Sequence, residues 1–349
     1  VKKILAAVAA SAALLSGLPA DAAPSHPMPQ KTQYDLQAHR GGLGLTTEET
    51  LEGFAKAIEM GVSTLELDTQ ITEDGYVVVT HDRQISPTKC RDTQPAFEGD
   101  PEFPYVRKYI TNLTLSPVKT VECGYQQLPG HPDQEVVTGP MIELEDLFAM
   151  TAKYRTKTIR FNIETKVEAG AAHETAPREL FVRRVYEEIA AAGQLRNVTI
   201  QSFDWGALKE MHRLDASLPL VALTNRDFLQ VGQAGASPWL GGIDADDFDG
   251  DLLRAAASID GVTAISPVHG FPQNGKIGDA DYEFYVSKQM VDDAHAAGLR
   301  VIPWTVDDVA TARALMDMGV DGIITDRPDH MRDLMAERGM RLPKAYTLR

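Results

Sequence analysis

The chain has 349 residues, 43% of them hydrophobic and 24% charged, and carries a formal charge of −16. That length buries a full core, as one large domain or two ordinary ones. The acidic balance argues against a nucleic-acid binder and against tight docking on anionic lipid, so an anionic substrate would need a local positive site.

Lys2 and Lys3 open a basic stretch, residues 4–18 form a short Ala-rich apolar run, and Ala20-Asp21-Ala22 supplies an A-x-A cleavage signal. The pattern predicts a signal peptide over residues 1–22, a mature chain from near Ala23, and a periplasmic or secreted protein. The run is shorter than the ~18–20 apolar residues of a spanning helix, and no later stretch reaches that length. No transmembrane segment is therefore expected. Cys90 and Cys123 are the only cysteines. In an exported chain such a pair predicts a disulfide, two free thiols being the alternative.

Strands are predicted at 35–38, 63–68, 159–164, 198–202, 218–223, 262–266, 300–304 and 322–325. Helices at 48–60, 178–192, 206–214, 288–297 and 309–318 fall between them. Apolar strands alternating with helices make a parallel sheet covered on both faces. About eight such units predict a closed (β/α)8 TIM barrel. It would span residues 32–335, with a C-terminal tail at 336–349. A doubly wound open sheet competes, but Gly41-Gly42-Leu43-Gly44 lacks the spacing of a dinucleotide-binding turn. His39, Glu66, Glu164, Ser202 and Trp304 also lie at or near the C-terminal ends of different strands, where barrel active sites are built.

Asp74-Gly75 reads as a two-residue hairpin turn. It would set Glu73 against Tyr76 and Asp68 against His81, gathering Glu66, Asp68 and His81 on one side. Residues 84–138 break the barrel rhythm and hold both cysteines. They read as a small lobe inserted after the second strand, over the barrel mouth. The acidic run 241–251 lacks the spacing of a calcium loop and reads as solvated.

Glu66, Asp68 and Glu164 are hard oxygen donors around one mouth, and they repel one another unless a cation sits between them. Ion pairing with Arg40 and Lys166 is the alternative role. His39 and His81, beside Arg40 and Asp82, are candidates for general base and general acid. Arg40 suits a forked contact to phosphate oxygens, or an ion pair with Glu48. Phe203 and Trp304 sit where they could wall an alcohol pocket or simply pack. Asp307 and Asp326 read as helix or turn caps. His173, His212, His269, His295 and His330 read as structural.

These motifs resemble the glycerophosphodiester phosphodiesterase family, in its exported bacterial form. The similarity runs from Leu36 to about Pro328. It rests on Ala38-His39-Arg40-Gly41, on Glu66-Leu67-Asp68 followed by Asp74-Gly75 and Thr80-His81-Asp82, and on Ile163-Glu164-Thr165-Lys166. Gln201-Ser202-Phe203-Asp204, Pro303-Trp304-Thr305 and Thr325-Asp326 extend it. The resemblance implies a barrel that hydrolyses glycerophosphodiesters to sn-glycerol 3-phosphate and an alcohol through a cyclic phosphate. It implies one divalent cation on Glu66, Asp68 and Glu164, Ca²⁺ before Mg²⁺. His39 and His81 would move protons, and Arg40, Lys166, Phe203 and Trp304 would meet the substrate. Glu49 departs from the family pattern, which has a neutral amide there. The competing readings are a phospholipase acting on lysolipids or phosphoinositides, and an inactive barrel that only binds phosphodiesters. The first requires an exposed apolar rim, for which the insertion offers Phe97, Phe103, Tyr105, Tyr109 and Leu113.

Overall fold

The computed structural model describes residues 33–156 and 158–348, so the export signal read at 1–22 lies outside the described residues. The chain begins with β1 (Asp35–Ala38), α1 (Leu51–Met60), β2 (Thr64–Ile71) and β3 (Val77–Val79). A lobe follows with β4 (Cys90–Arg91), α2 (Leu115–Thr120) and β5 (Glu122–Cys123), and α3 (Leu144–Lys153) leads back to the sheet. Next come β6 (Arg160–Thr165), α4 (Arg178–Ala191), β7 (Val198–Ser202), α5 (Trp205–Leu214) and β8 (Leu220–Thr224). Then follow α6 (Leu252–Ala257), β9 (Val262–Pro267) and a hairpin of β10 (Gly270–Phe271) with β11 (Glu283–Phe284). The chain finishes with α7 (Lys288–Ala296), β12 (Arg300–Val301), α8 (Val309–Met318), β13 (Gly322–Thr325) and α9 (Pro328–Glu337).

Parallel strands run in the order β12-β9-β8-β7-β6-β2-β1-β13. They form the eight-stranded ring of a TIM barrel, flanked by helices. Between β12 and β13 the ring closes through single bonds. Asp321 N–H donates to Val301 O at 2.9 Å, and Ile324 N–H to Pro303 O at 3.0 Å. Pro303 has no N–H to give back, so the ladder is interrupted there. The strand expected over 300–304 is accordingly only two residues long. Helix α9 runs through residue 337 and so reaches into the segment read as a tail.

Side chains alternate across each strand. Leu65, Leu67, Ile163, Ile200 and Ile323 face the helices and join the main core. The intervening positions point into the barrel, which divides into two halves. Val221, Ala264, Ile302 and Ile324 form an apolar half. Gln37, Glu66, Asn162 and Gln201 form a polar one, and all four are buried. Asn162 Nδ2 donates to Gln37 Oε1 at 2.9 Å and to Gln201 Oε1 at 2.7 Å. Gln201 Nε2 then donates to Glu66 Oε1 at 2.7 Å. A buried polar chain is tolerated because its donors find acceptors.

The β2–β3 hairpin has a different register from the one expected. Thr69 pairs with Val79 and Ile71 with Val77. Thr72 N–H donates to Tyr76 O, which leaves a three-residue loop with Gly75 at φ 87°. Asp74 also accepts the Thr72 hydroxyl at 2.7 Å. The extra loop residue shifts every pairing by one, so Thr80 stands opposite Asp68 and His81 lies one step beyond.

The lobe carries its own cluster, with Ile85, Tyr105, Ile110, Leu113, Val118 and Val121 buried. Cys90 and Cys123 face each other across β4 and β5 and are joined by a disulfide. Gln134 Nε2 donates to Leu43 O at 2.8 Å, and Arg327 pairs with Asp133 at 2.9 Å, which ties the lobe to the barrel. Among the five apolar residues that a membrane-docking rim would use, Phe97 alone is exposed, while Tyr105 and Leu113 sit in the lobe core. No helix among the described residues is long and apolar enough to cross a membrane.

The disulfide spans 33 residues. Replacing both cysteines with serine is expected to lower the opening free energy of lobe amides by about 3–4 kcal/mol in hydrogen exchange, leaving barrel strands unchanged. Unchanged protection in the lobe would contradict that role for the bridge.

Candidate active site

Parallel register builds the centre of the barrel mouth. Asp68 pairs with Glu164 across β2 and β6, and Glu164 pairs with Gln201 across β6 and β7. Glu66 shares the inward face of β2 with Asp68. Oxygens of Glu66, Asp68 and Glu164 consequently lie within 4.8 Å of one another, and all three residues are buried. A cationic frame surrounds them. Lys166 Nζ stands 3.0 Å from Glu164 and 3.8 Å from Asp68. The Arg40 guanidinium lies against Asp68, and its backbone N–H donates to Glu66 Oε2 at 3.0 Å.

Burial pushes the Glu66 carboxyl up to about 7 and the Glu164 carboxyl up to about 8, with Asp68 adding to both. Burial also opposes charge on Asp68, but Lys166, Arg40 and both histidines outweigh it and hold that carboxyl well below the usual range. The frame therefore favours the charge on Asp68, while burial disfavours charge on Glu66 and Glu164. Asp68 Oδ2 lies 2.9 Å from Arg40 Nε without a well-formed hydrogen bond, leaving a buried oxygen open. An all-oxygen donor set with an open buried oxygen fits a hard divalent cation such as Ca²⁺ or Mg²⁺.

His39 follows β1 in a tight turn in which Arg40 takes φ 50°. Ala38 pairs with Thr325, so the next residues, His39 and Asp326, meet across the seam. His39 Nδ1 sits 2.5 Å from Asp326 Oδ1. Burial and Arg40 press the imidazole down, yet Asp326 and Glu66 prevail and its pKa is raised. Asp326 is itself steadied, its N–H donating to Asp307 Oδ1 at 2.7 Å. His81 Nδ1 sits 2.8 Å from Asp82 Oδ1. Burial, Lys166 and Arg40 push His81 down to about 4, against the pull of Asp68 and Asp82. In both rings a carboxylate on Nδ1 favours the tautomer that leaves Nε2 to exchange a proton.

Glu48 and Glu49 enter this site because α1 starts later than the apolar pattern suggests. Thr50 caps the helix by accepting the Gly53 N–H, so both glutamates stay in the preceding turn. Arg40 Nη1 donates to Glu48 Oε2 at 2.8 Å. Glu49 takes φ 56° and accepts the Asp68 N–H on Oε1 at 3.0 Å. Burial, Asp68 and Glu48 push its carboxyl well above the usual range, which favours a neutral group with the hydrogen-bonding pattern of an amide.

Of these groups His39, Arg40, Glu66, His81, Glu164 and Lys166 line a cavity of about 1440 Å³. One wall is aromatic. Phe203 meets Trp304 edge-on at 5.4 Å and Phe228 at 5.2 Å, and Phe228 stacks on Trp239 at 4.5 Å. Lys166 Nζ lies 5.9 Å from the Phe203 ring centre. Of the site residues expected from sequence, Asp68 and Glu48 do not line this cavity but pair with Arg40 beside it, and the cysteines are in the lobe; the others line it. Phe228 and Trp239 were not anticipated, since a loop carries them. Asp326 was expected to be a cap and is instead the partner of His39; the seam register of a closed barrel would have revealed it. Gln201, which lay within a matching motif, holds Glu66. His269 lines the cavity and bonds Tyr282 at 2.7 Å, while His295 pairs with Asp321. In the acidic run, Asp244 and Asp251 cap the helical turns that follow them.

The sequence model of the "Glycerophosphoryl diester phosphodiesterase family" matches residues 39–330. A glycerophosphodiester phosphodiesterase of Caldanaerobacter subterraneus is 24% identical over 302 residues, 86% of this chain and 98% of that one. A solved structure of a Silicibacter pomeroyi protein named for the same family is 26% identical with a TM-score of 0.71, covering 90% of this chain and 96% of that one. An Oleispira antarctica phosphodiesterase, solved with the product sn-glycerol-3-phosphate, has a TM-score of 0.60 at 17% identity, covering 86% and 96%.

Gln201→Leu removes the amide that orients Glu66. Calorimetric titration with Ca²⁺ is expected to show affinity reduced by about tenfold or more, as for other residues that orient a metal ligand. Unchanged affinity would show that Glu66 needs no such support.

Proposed function

The chain belongs to the glycerophosphoryl diester phosphodiesterase family and is a phosphodiesterase acting on glycerophosphodiesters; we propose that it releases sn-glycerol 3-phosphate using one divalent cation and a pair of histidines. The observation that carries this reading is the placement of two carboxylate-held imidazoles and two cations around one buried carboxylate cluster, in a single cavity. Glu66, Asp68 and Glu164 would hold the cation, which when bound supplies Lewis-acid charge to phosphoryl oxygens. Ca²⁺ suits this oxygen set, which has no rigid octahedral frame.

Arg40 and Lys166 bind the phosphodiester and offset its charge in an otherwise acidic protein. Phe203 and Trp304 wall the space beside Lys166 and accept the carbon skeleton of the glycerol or alcohol. The glycerol 2-hydroxyl attacks phosphorus after losing its proton to one imidazole, and the other imidazole protonates the departing alkoxide. Environments that separate the two rings suit the roles: His81, pressed down, takes a proton, and His39, pushed up, delivers one. Water then opens the cyclic phosphate with the two roles exchanged. Export to an oxidising compartment fits the basic and apolar opening of the sequence and the Cys90–Cys123 bridge.

Release of glycerol 3-phosphate from glycerophosphocholine tests the reading. The wild-type protein is expected to release it with Ca²⁺ and to stop when a chelator is added. His81→Ala should lower kcat by about 10²–10⁴-fold, the range of a lost proton-transfer group. Asp326→Asn should lower it by at least about tenfold, through His39. No release by the folded, Ca²⁺-loaded wild type from several headgroup diesters would contradict the proposal.

A further inference from the structure

Among the described residues Asp82 alone holds His81, and its own backbone position does little to confine it. His81 and Asp82 are sequence neighbours at the rim, their side chains 33% and 29% exposed. An exposed carboxylate on the adjoining residue has many rotamers, and an isolated pair of this kind is weakly held. What confines Asp82 is a residue from the lobe. Lys89 Nζ lies 2.8 Å from Asp82 Oδ2, opposite the oxygen that meets His81. The same ammonium lies 2.6 Å from Glu48 Oε1, whose other oxygen holds Arg40. Arg40, Glu48, Lys89 and Asp82 thus form one unbroken chain of alternating charges that ends on the His81 ring.

The lobe delivers Lys89 rigidly. Its carbonyl accepts the Gly124 N–H at 2.8 Å, and the next residue is Cys90, bonded to Cys123. Both strands of the small lobe ladder therefore clamp the backbone from which the lysine reaches the site.

We propose that Lys89 is a positioning residue that fixes the ring of His81 through Asp82, so that the disulfide-closed lobe completes the active site. The two ends of the chain depend on it unequally. Arg40 keeps Glu48, the Glu66 contact of its backbone and its approach to Asp68 whatever occupies position 89. His81 has no second orienting partner among the described residues. Loss of Lys89 therefore falls on proton transfer and spares substrate binding.

This inference rests on the phosphodiesterase reading, and its test keeps the two apart. In the full chain, Lys89→Met is expected to lower kcat by about 10–100-fold with KM within about threefold, as for a group acting in the transition state. Lys89→Arg, which retains the charge and can span both carboxylates, should stay within about threefold of wild-type kcat. Lys108→Met is the control, since it removes a different lobe cation, one paired with Glu102 at 2.6 Å; its kinetics should match the wild type. A kcat for Lys89→Met within about twofold of wild type, or equal losses in the Met and Arg variants, would overturn the proposal. Nitrogen-15 spectra of the His81 ring give a readout without substrate. One tautomer is expected in the wild type and a mixture in Lys89→Met. Identical ring spectra in both would also overturn it. Absent hydrolysis by the wild type would instead fail the functional reading and leave the ring measurement intact.

Discussion

Three carboxylates held within 4.8 Å of one another in a buried barrel mouth set the terms for the rest of this molecule. Like charges at that distance in a low-dielectric setting cannot all persist unless something positive sits among them. Arg40 and Lys166 answer part of the charge, enough to keep Asp68 ionised. Glu66 and Glu164 remain pushed up by burial. The deficit is one that the proposed divalent cation would answer.

The surrounding architecture serves this cluster at some expense to packing. One half of the barrel interior is apolar, while the other carries a chain of amides from Gln37 through Asn162 and Gln201 to Glu66. A uniformly apolar interior would pack more simply, yet it would leave Glu66 without a fixed partner. The histidines follow the same logic. Each is oriented by a carboxylate from a different origin: Asp326 across the barrel seam, and Asp82 from the adjoining residue with Lys89 behind it. On the proposal for Lys89, the lobe would complete the catalytic frame as well as contribute to the cavity wall.

The parts of this arrangement that were readable in the sequence are those that depend on local pattern. Eight apolar runs alternating with helices identified the barrel, and inward residues at their ends identified the carboxylates, Arg40, His39 and His81. Parts that depend on register or on distant contacts were not. The β2–β3 hairpin was misread by one residue, because Asp74-Gly75 suits a two-residue turn and the observed three-residue loop equally well. Asp326 looked like a cap because the pairing of β1 with β13 is visible only once the ring closes. Lys89 lay inside an irregular insertion, and nothing in its spacing linked it to Glu48 or Asp82. Glu49, which departs from the family pattern, is accommodated as a buried group accepting the Asp68 N–H, a contact that an amide oxygen could also make.

The central claim is that the carboxylate cluster is completed by a divalent cation. Thermal unfolding of wild type and Glu164→Gln, each with Ca²⁺ and with chelator, tests it most directly. A ligand present at about 100 times its Kd stabilises the native state by about 2.7 kcal/mol. The wild type should therefore unfold several degrees higher with Ca²⁺, while Glu164→Gln should not respond and should unfold, with chelator, no lower than the wild type. An equal Ca²⁺ response in the two proteins, or none in the wild type, would contradict the account.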